Sequence, residues 1–255
     1  MKNILLQHWT GKLPELVKYS VENMKKYAKK CGADYRLLEG NGFRPWLATP
    51  CQKLWMLDEE FDEYDVVVMV DPDMFTRKGM EENIFTDVTG IGMYTEFQAN
   101  LFIKLQQQYP LLTDKNFPYW GGAIYRLERE HRVEMRKYLN DAEMTAHSGN
   151  FNDEGIMHRC AVSADYKEKR YFDRQQWNYS SFEETVDEAN IMHRLACHAR
   201  IPMQKLPGGF KWCHCSYREG IEDSAMIHIR TKTTPTGNKK PKLDNYYTLV
   251  KRGLI

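Results

Sequence analysis

Apolar residues change period along the first part of the chain. Asn3 to Leu6 is a short apolar run that ends at a polar turn, Gln7-His8-Trp9-Thr10-Gly11. Leu13, Val17, Val21, Met24, Ala28 and Cys31 then recur in steps of three and four, which predicts a helix. Pro14 near its start and Gly32 just beyond its last periodic residue punctuate that helix. Tyr35 to Leu38 reads as a second strand, a Gly- and Pro-rich loop covers Gly40 to Pro50, and a helix is expected over Cys51 to Glu60. Val66-Val67-Val68-Met69-Val70 is uninterrupted and mostly β-branched, the pattern of a strand buried on both faces at the centre of a parallel or mixed sheet. Strand, helix, strand, helix, strand is the order of an α/β sheet with helices on both sides. Further strands are expected at Gly90 to Tyr94, Gly122 to Tyr125 and Ala225 to Ile229, with helices at Arg129 to Leu139 and Asp153 to Ala161. No repeat or low-complexity linker interrupts the pattern, so one domain is expected, with a polar C-terminal tail from Thr231 to Ile255.

Composition narrows the partners. The chain has 255 residues, 42% of them hydrophobic, which is enough apolar content for a core and excludes a disordered or fibrous chain. Lys and Arg total 36 against 35 Asp and Glu, so a net charge of +1 gives no overall attraction to nucleic acid or an anionic membrane. Val66 to Val70 is the longest aliphatic run, far short of the roughly 20 residues that span a bilayer. The N-terminus turns polar too soon for a signal peptide, and six scattered cysteines read as reduced thiols, so a cytoplasmic location is expected.

The chemistry concentrates after the central strand. Asp71-Pro72-Asp73 follows Val70 directly, at the carboxyl end of a strand, where open α/β sheets bind ligands. Two carboxylates one residue apart in a proline-stiffened turn can converge on one hard divalent cation. The competing structural reading makes Asp71 a strand-end cap and Asp73 the cap of a following helical turn.

Tyr64 to Phe75, with this pair inside it, resembles the Asp-x-Asp segment of nucleotide-sugar-dependent glycosyltransferases of the GT-A fold. Three more segments resemble that superfamily in the right order. Asn116 to Tyr125 looks like the glycine loop beside the donor sugar, with Trp120, Gly121 and Gly122; Phe151 to Met157 looks like the acidic start of an acceptor-side helix, with Asn152 as N-cap before Asp153 and Glu154. Ala225 to Lys232 resembles the late strand whose histidine, here His228, completes a metal site. Family 8 enzymes follow that histidine with a glycine and Lys-Pro; here Gly237-Asn238-Lys239-Lys240-Pro241 lies several residues farther downstream.

The resemblance implies a single Rossmann-like α/β domain with a mixed, mostly parallel sheet. Residues 1–125 would form the donor half, 126–230 the acceptor half, and 231–255 the tail. It further implies transfer of a sugar from a nucleoside diphosphate-sugar, most often of uridine diphosphate, to a hydroxyl on a glycan or other acceptor. Asp71, Asp73 and His228 would hold Mn²⁺ or Mg²⁺, with Arg230, Lys232 and Lys240 on the departing diphosphate. Gln7, His8, Trp9 and Thr10 fall where the nucleoside sits, and Lys53 where a basic residue reaches the donor. Asp153 or Glu154 would take the acceptor proton in an inverting reaction. Two alternatives stay open: a haloacid-dehalogenase-like phosphatase with Asp71 as nucleophile, and a non-catalytic carbohydrate-binding protein. Cys213-His214-Cys215 with Cys197-His198 lacks the ligand gaps of a zinc site, and a strand with buried thiols is the preferred reading.

Overall fold

The computed structural model describes residues 1–88, 90–95, 120–141, 152–166, 174–180, 224–229, 232–233 and 239–255. Its centre is a five-stranded sheet of β1 (Asn3–Trp9), β2 (Asp34–Glu39), β3 (Val66–Val70), β5 (Gly92–Thr95) and β6 (Trp120–Glu128), in the order β2-β1-β3-β6-β5. β1 runs parallel to β2 and β3, whereas β6 is antiparallel to β3 and β5. Parallel pairing therefore holds one half of the sheet and antiparallel pairing the other. Side chains alternate across β3: Val67 and Met69 face one core with Ile4, Leu6 and Tyr125, while Val66, Val68 and Val70 face the other with Leu5 and Ile124. Each fully buried valine contributes about 1.5–3 kcal/mol of transfer free energy.

Helices cover both faces. α1 (Glu15–Lys30) begins after Pro14 and packs Met24, Tyr27 and Ala28 on one side; Gly32, at φ +67°, ends it in a conformation that favours glycine. On the other side lie a 3₁₀ segment (Thr49–Leu57), α2 (Arg129–Arg136) and α3 (Asn152–Ser163). The helix expected over Cys51 to Glu60 is thus two 3₁₀ stretches, Thr49–Leu57 and Glu59–Phe61, divided at Asp58, whose extended backbone and side-chain cap on Glu60 N break the turn.

A second sheet of three strands is ordered β4 (Met74–Thr76), β8 (Met226–His228), β7 (Tyr179–Ser180); β4 is antiparallel to β8, and β7 parallel to it. α4 (Arg174–Trp177) leads into β7 and buries Trp177 in the core. β9 (Lys232–Thr233) and β10 (Lys239–Lys240) form a short antiparallel pair.

Three further elements differ from the expectation. β1 continues to Trp9, so Gln7 and His8 lie in a strand and not in a turn; their polarity is absorbed by buried partners. Gly121 and Gly122 are inside β6 and not in a loop ahead of it, because β6 starts at Trp120, paired with Thr95. The polar tail contains α5 (Lys242–Lys251), whose Leu249 is buried with Leu16, Phe75, Ile227 and Ile229. Among the described residues, no helix is long and apolar enough to cross a membrane.

Candidate functional site

The turn after β3 sets the two aspartates. Asp71 N donates to Ala123 O of β6 at 2.8 Å, extending the ladder by one residue, and Met74 N donates to Asp71 O at 3.1 Å, closing a four-residue turn with Pro72 at its second position. Proline fixes φ there and suits that position. β4 follows directly, so Asp73 caps no helix and that half of the capping interpretation falls. Gln7 Nε2 braces the turn by donating to Asp71 O at 3.2 Å and to Ser20 Oγ at 2.9 Å, and Ser20 Oγ donates to Met74 O at 2.7 Å. Tyr35 Oη donates to Gln7 Oε1. Gln7 is fully buried and reaches the site through the Asp71 backbone.

The second sheet brings in the histidine. Met74 pairs with His228, and Ile229 N donates to Asp73 O at 2.9 Å, so His228 lies beside the turn despite the intervening sequence. Ligand atoms of Asp71, Asp73 and His228 all fall within 4.8 Å of one another. His228 Nδ1 is 3.1 Å from Asn178 Oδ1, an acceptor for the Nδ1 proton, and Nε2 faces Asp73 Oδ1 at 3.2 Å, so Nε2 pairs with that carboxylate when the ring is charged and offers its lone pair to a cation when the ring is neutral. Asp73 Oδ1 is buried and accepts no hydrogen bond among the described residues. Two carboxylates and one imidazole with convergent lone pairs fit a divalent ion such as Mn²⁺. The other compact group, Glu128, Glu130 and His131, is a helix cap: Glu128 N donates to His131 Nδ1, and Glu128 Oε1 accepts from Gly90 N and Arg126.

Two lysines balance these acids. Lys242, the first residue of α5, pairs its ammonium with Asp73 Oδ2. Burial opposes ionisation of Asp73, yet His228 and Lys242 hold its carboxyl well below the usual carboxylate range. Lys53 Nζ lies 2.8 Å from Asp71 Oδ1, 2.7 Å from Asp153 Oδ2 and 2.7 Å from Gly122 O. Burial disfavours that ammonium, but Asp153 and then Asp71 overcome it and keep Lys53 above the ordinary lysine value.

Asp153 and Glu154, in the first turn of α3, turn toward β6. Asp153 Oδ2 accepts from Tyr125 Oη at 2.9 Å, and Glu154 Oε1 accepts from Gly122 N at 2.8 Å. Burial, against the pull of Lys53 and with a push from Asp71, raises the Asp153 carboxyl above its ordinary value. Gly122 is required by close approach: a Cβ there would lie 2.7 Å from Asp153 Oδ2, 2.7 Å from Glu154 Cγ and 2.9 Å from Tyr125 Oη.

The other expected residues spread more widely. His8 Nε2 lies 2.6 Å from Gly40 O and 3.5 Å from Thr10 Oγ1, with its pKa lowered first by burial; Trp9 Nε1 donates to Lys12 O. Trp120, Lys232 and Lys240 are placed by their backbones in β6, β9 and β10. Arg230 and the segment from Cys197 to Cys215 lie outside the described residues; Cys31, Cys51 and Cys160 are free thiols. Two residues escaped the sequence reading. Asn178 carries no motif, whereas Lys242 follows Pro241 at the start of a segment with Leu243, Tyr246 and Leu249 at helical spacing, a start signal that could have found it.

No family model matches the chain, and no curated protein matches it in sequence. In structure it is similar over 98% of its length to the whole of a glycosyltransferase involved in glycosylation of the major capsid of PBCV-1, with a TM-score of 0.52 and 10% identity. It is similar over 97% of its length to 95% of the galactosyltransferase LgtC, solved with donor and acceptor sugar analogues, again with a TM-score of 0.52 and 10% identity. The chain has the GT-A fold, an α/β domain with a mixed central sheet. A haloacid-dehalogenase-like reading of Asp71 loses its scaffold.

Proposed function

We propose that this chain is a divalent-metal-dependent glycosyltransferase that moves a sugar from a nucleoside diphosphate-sugar, of uridine diphosphate by preference, to a hydroxyl on a glycan or other acceptor. The observation that carries the reading is the convergence of Asp71, Asp73 and His228 at the carboxyl end of β3. Both fold relatives are described as glycosyltransferases, which supports the reaction class.

Breaking the bond between an anomeric carbon and a diphosphate leaves negative charge on the departing oxygen. Mn²⁺ or Mg²⁺ held by Asp71, Asp73 and His228 would supply Lewis-acid stabilisation of that charge. The protein's own groups do the rest. Asn178 fixes the His228 ring, and Lys53 holds Asp71 and Asp153 at one spacing. In an inverting reaction the acceptor oxygen bonds to the anomeric carbon, the electron pair of the broken bond stays on the diphosphate, and a carboxylate takes the acceptor proton. Asp153, whose burial raises its proton affinity, is the suited base, with Glu154 beside it. Arg230, Lys232 and Lys240 are proposed to face the diphosphate.

A panel of nucleotide sugars, each with and without Mn²⁺, tests the reading by thermal shift, since a ligand that binds only the folded chain raises its apparent stability. A metal-dependent shift with one donor, and loss of donor turnover in Asp71→Ala, are expected. Unchanged turnover in that variant removes the metal site from the reaction.

A further inference from the structure

Lys242 is placed by packing and not by a free tail. α5 is seated by Leu249 in the cluster of Leu16, Phe75, Ile227 and Ile229. Tyr246 stacks on Tyr19 with ring centroids 5.0 Å apart and lies 5.0 Å from Phe75. Phe75 is two positions beyond Asp73, and Ile227 and Ile229 flank His228, so three of the residues that anchor α5 lie within two positions of two of the three candidate ligands. Pro241 then fixes the entry to the helix, and Lys242 is its first residue.

The oxygens of Asp73 are divided between two neighbours. Oδ1 faces His228 Nε2, and Oδ2 is held by the Lys242 ammonium. The Asp73 side chain is 12% exposed and that of Lys242 is 39% exposed, so the lysine reaches a buried carboxylate from the solvent side. An ammonium and a hard divalent cation both seek carboxylate lone pairs, and they repel each other at contact distance. The pair therefore opposes whatever cation Asp73 helps to hold.

We propose that Lys242 is a tethered counter-cation that competes with the divalent ion for Asp73. The proposal rests on the reading of Asp71, Asp73 and His228 as the ion site and adds a negative coupling between that site and the first turn of α5. Coupling of this kind is reciprocal: the ion weakens the hold of Lys242 on Asp73 as much as Lys242 weakens the binding of the ion.

The test titrates the full-length chain with Mn²⁺ alone and reads free Mn²⁺ by electron paramagnetic resonance. Lys242→Gln is expected to bind Mn²⁺ about five-fold more tightly than the wild type, the upper end of what a partly exposed pair contributes. Lys242→Arg keeps the cation and is expected to bind no more tightly than the wild type. Hydrogen exchange supplies a second measurement on the wild type itself: Mn²⁺ should speed exchange of the first-turn amides of α5, even if Lys242→Gln fails to fold. Equal or weaker Mn²⁺ binding by Lys242→Gln, or exchange unmoved by the ion, overturns the inference. If the wild type binds Mn²⁺ and Asp73→Asn does not, the ion site survives that result; if neither the wild type nor Lys242→Gln binds it, both readings fall together.

Discussion

Replacing Lys53 with methionine keeps the length and apolar stem of the side chain and removes its charge. The ammonium it removes belongs to a side chain only 12% exposed and touches two carboxylates, 2.8 Å from the partly buried Asp71 Oδ1 and 2.7 Å from the buried Asp153 Oδ2. Deleting one member of a buried ion pair costs about 3–5 kcal/mol, because the other charge is left uncompensated in a poorly solvated place. For a chain of this size each kcal/mol lowers the unfolding midpoint by about 2–4 °C, so a fall of roughly 6–20 °C is expected. The deficit has a pH signature. Asp153 is already above its ordinary value through burial, and without the pull of Lys53 it rises further. Between about pH 4, the unfolded aspartate value, and the raised folded value of Asp153, the folded variant binds more protons than the unfolded chain. Stability of Lys53→Met therefore falls as pH rises through that window, and its deficit against the wild type is smallest on the acid side. Thermal unfolding from pH 4 to 8 measures this. Adding Asp153→Asn should recover a large part of the loss, because it removes one orphaned charge. A deficit independent of pH, or no recovery in the double variant, would refute the account of Lys53 as a shared counter-ion and leave it a packing residue.

Other consequences are narrower. Gly122→Ala puts a methyl within 2.7 Å of Asp153 and Glu154, and overpacking of that kind costs about 1–3 kcal/mol; an unfolding midpoint within a degree of wild type would mean the two acids move aside freely. Asn178→Ala frees the His228 ring, and a drop in Mn²⁺ affinity of about 10- to 100-fold is expected by titration; a change under two-fold would deny Asn178 its orienting role. Tyr125→Phe removes a hydrogen bond that lowers the Asp153 pKa, so if Asp153 is the base, the acidic limb of kcat/KM moves to higher pH; an unmoved limb points to Glu154.

What the amino-acid order makes legible follows the range of the interactions. The five apolar residues of β3 need only two covered faces, and the turn needs only Pro72, so the position of Asp71 and Asp73 at a sheet edge could be read from the chain itself. His228 was reachable through resemblance, but its support was not. Asn178 touches it across 50 positions, and nothing local to Asn178 marks the contact. Gln7 and His8 looked like turn residues because polar side chains in a strand need hydrogen-bond partners, and those partners, Ser20, Tyr35 and Gly40, come from later in the chain. α5 was overlooked because its lysines give the tail a polar composition that masks a short apolar stripe, Leu243, Tyr246 and Leu249, which packs on Phe75 and Ile227. The Lys-Pro pattern pointed to Lys240 for the diphosphate and away from Lys242, the lysine after the proline, which pairs with Asp73 where the helix begins.

The charges around this edge constrain what it can bind. Among the described residues, Asp71, Asp73, Asp153 and Glu154 bring four carboxyl groups to the ends of β3, β6 and α3, and Lys53 and Lys242 bring two ammoniums. The two lysines are not equivalent. Lys53 is enclosed, bridges two acids and also meets the Gly122 carbonyl, so it cannot leave without orphaning several partners. Lys242 touches one carboxylate from the solvent side and can exchange its partner for water at small cost. When both lysines stay, two negative charges remain uncompensated, which is the charge of one divalent cation. When Lys242 withdraws, Asp73 Oδ2 becomes available beside His228 at the one corner whose lone pairs already converge. The asymmetry separates the two roles: Lys53 fixes the spacing of Asp71 and Asp153, and Lys242 governs access to Asp73.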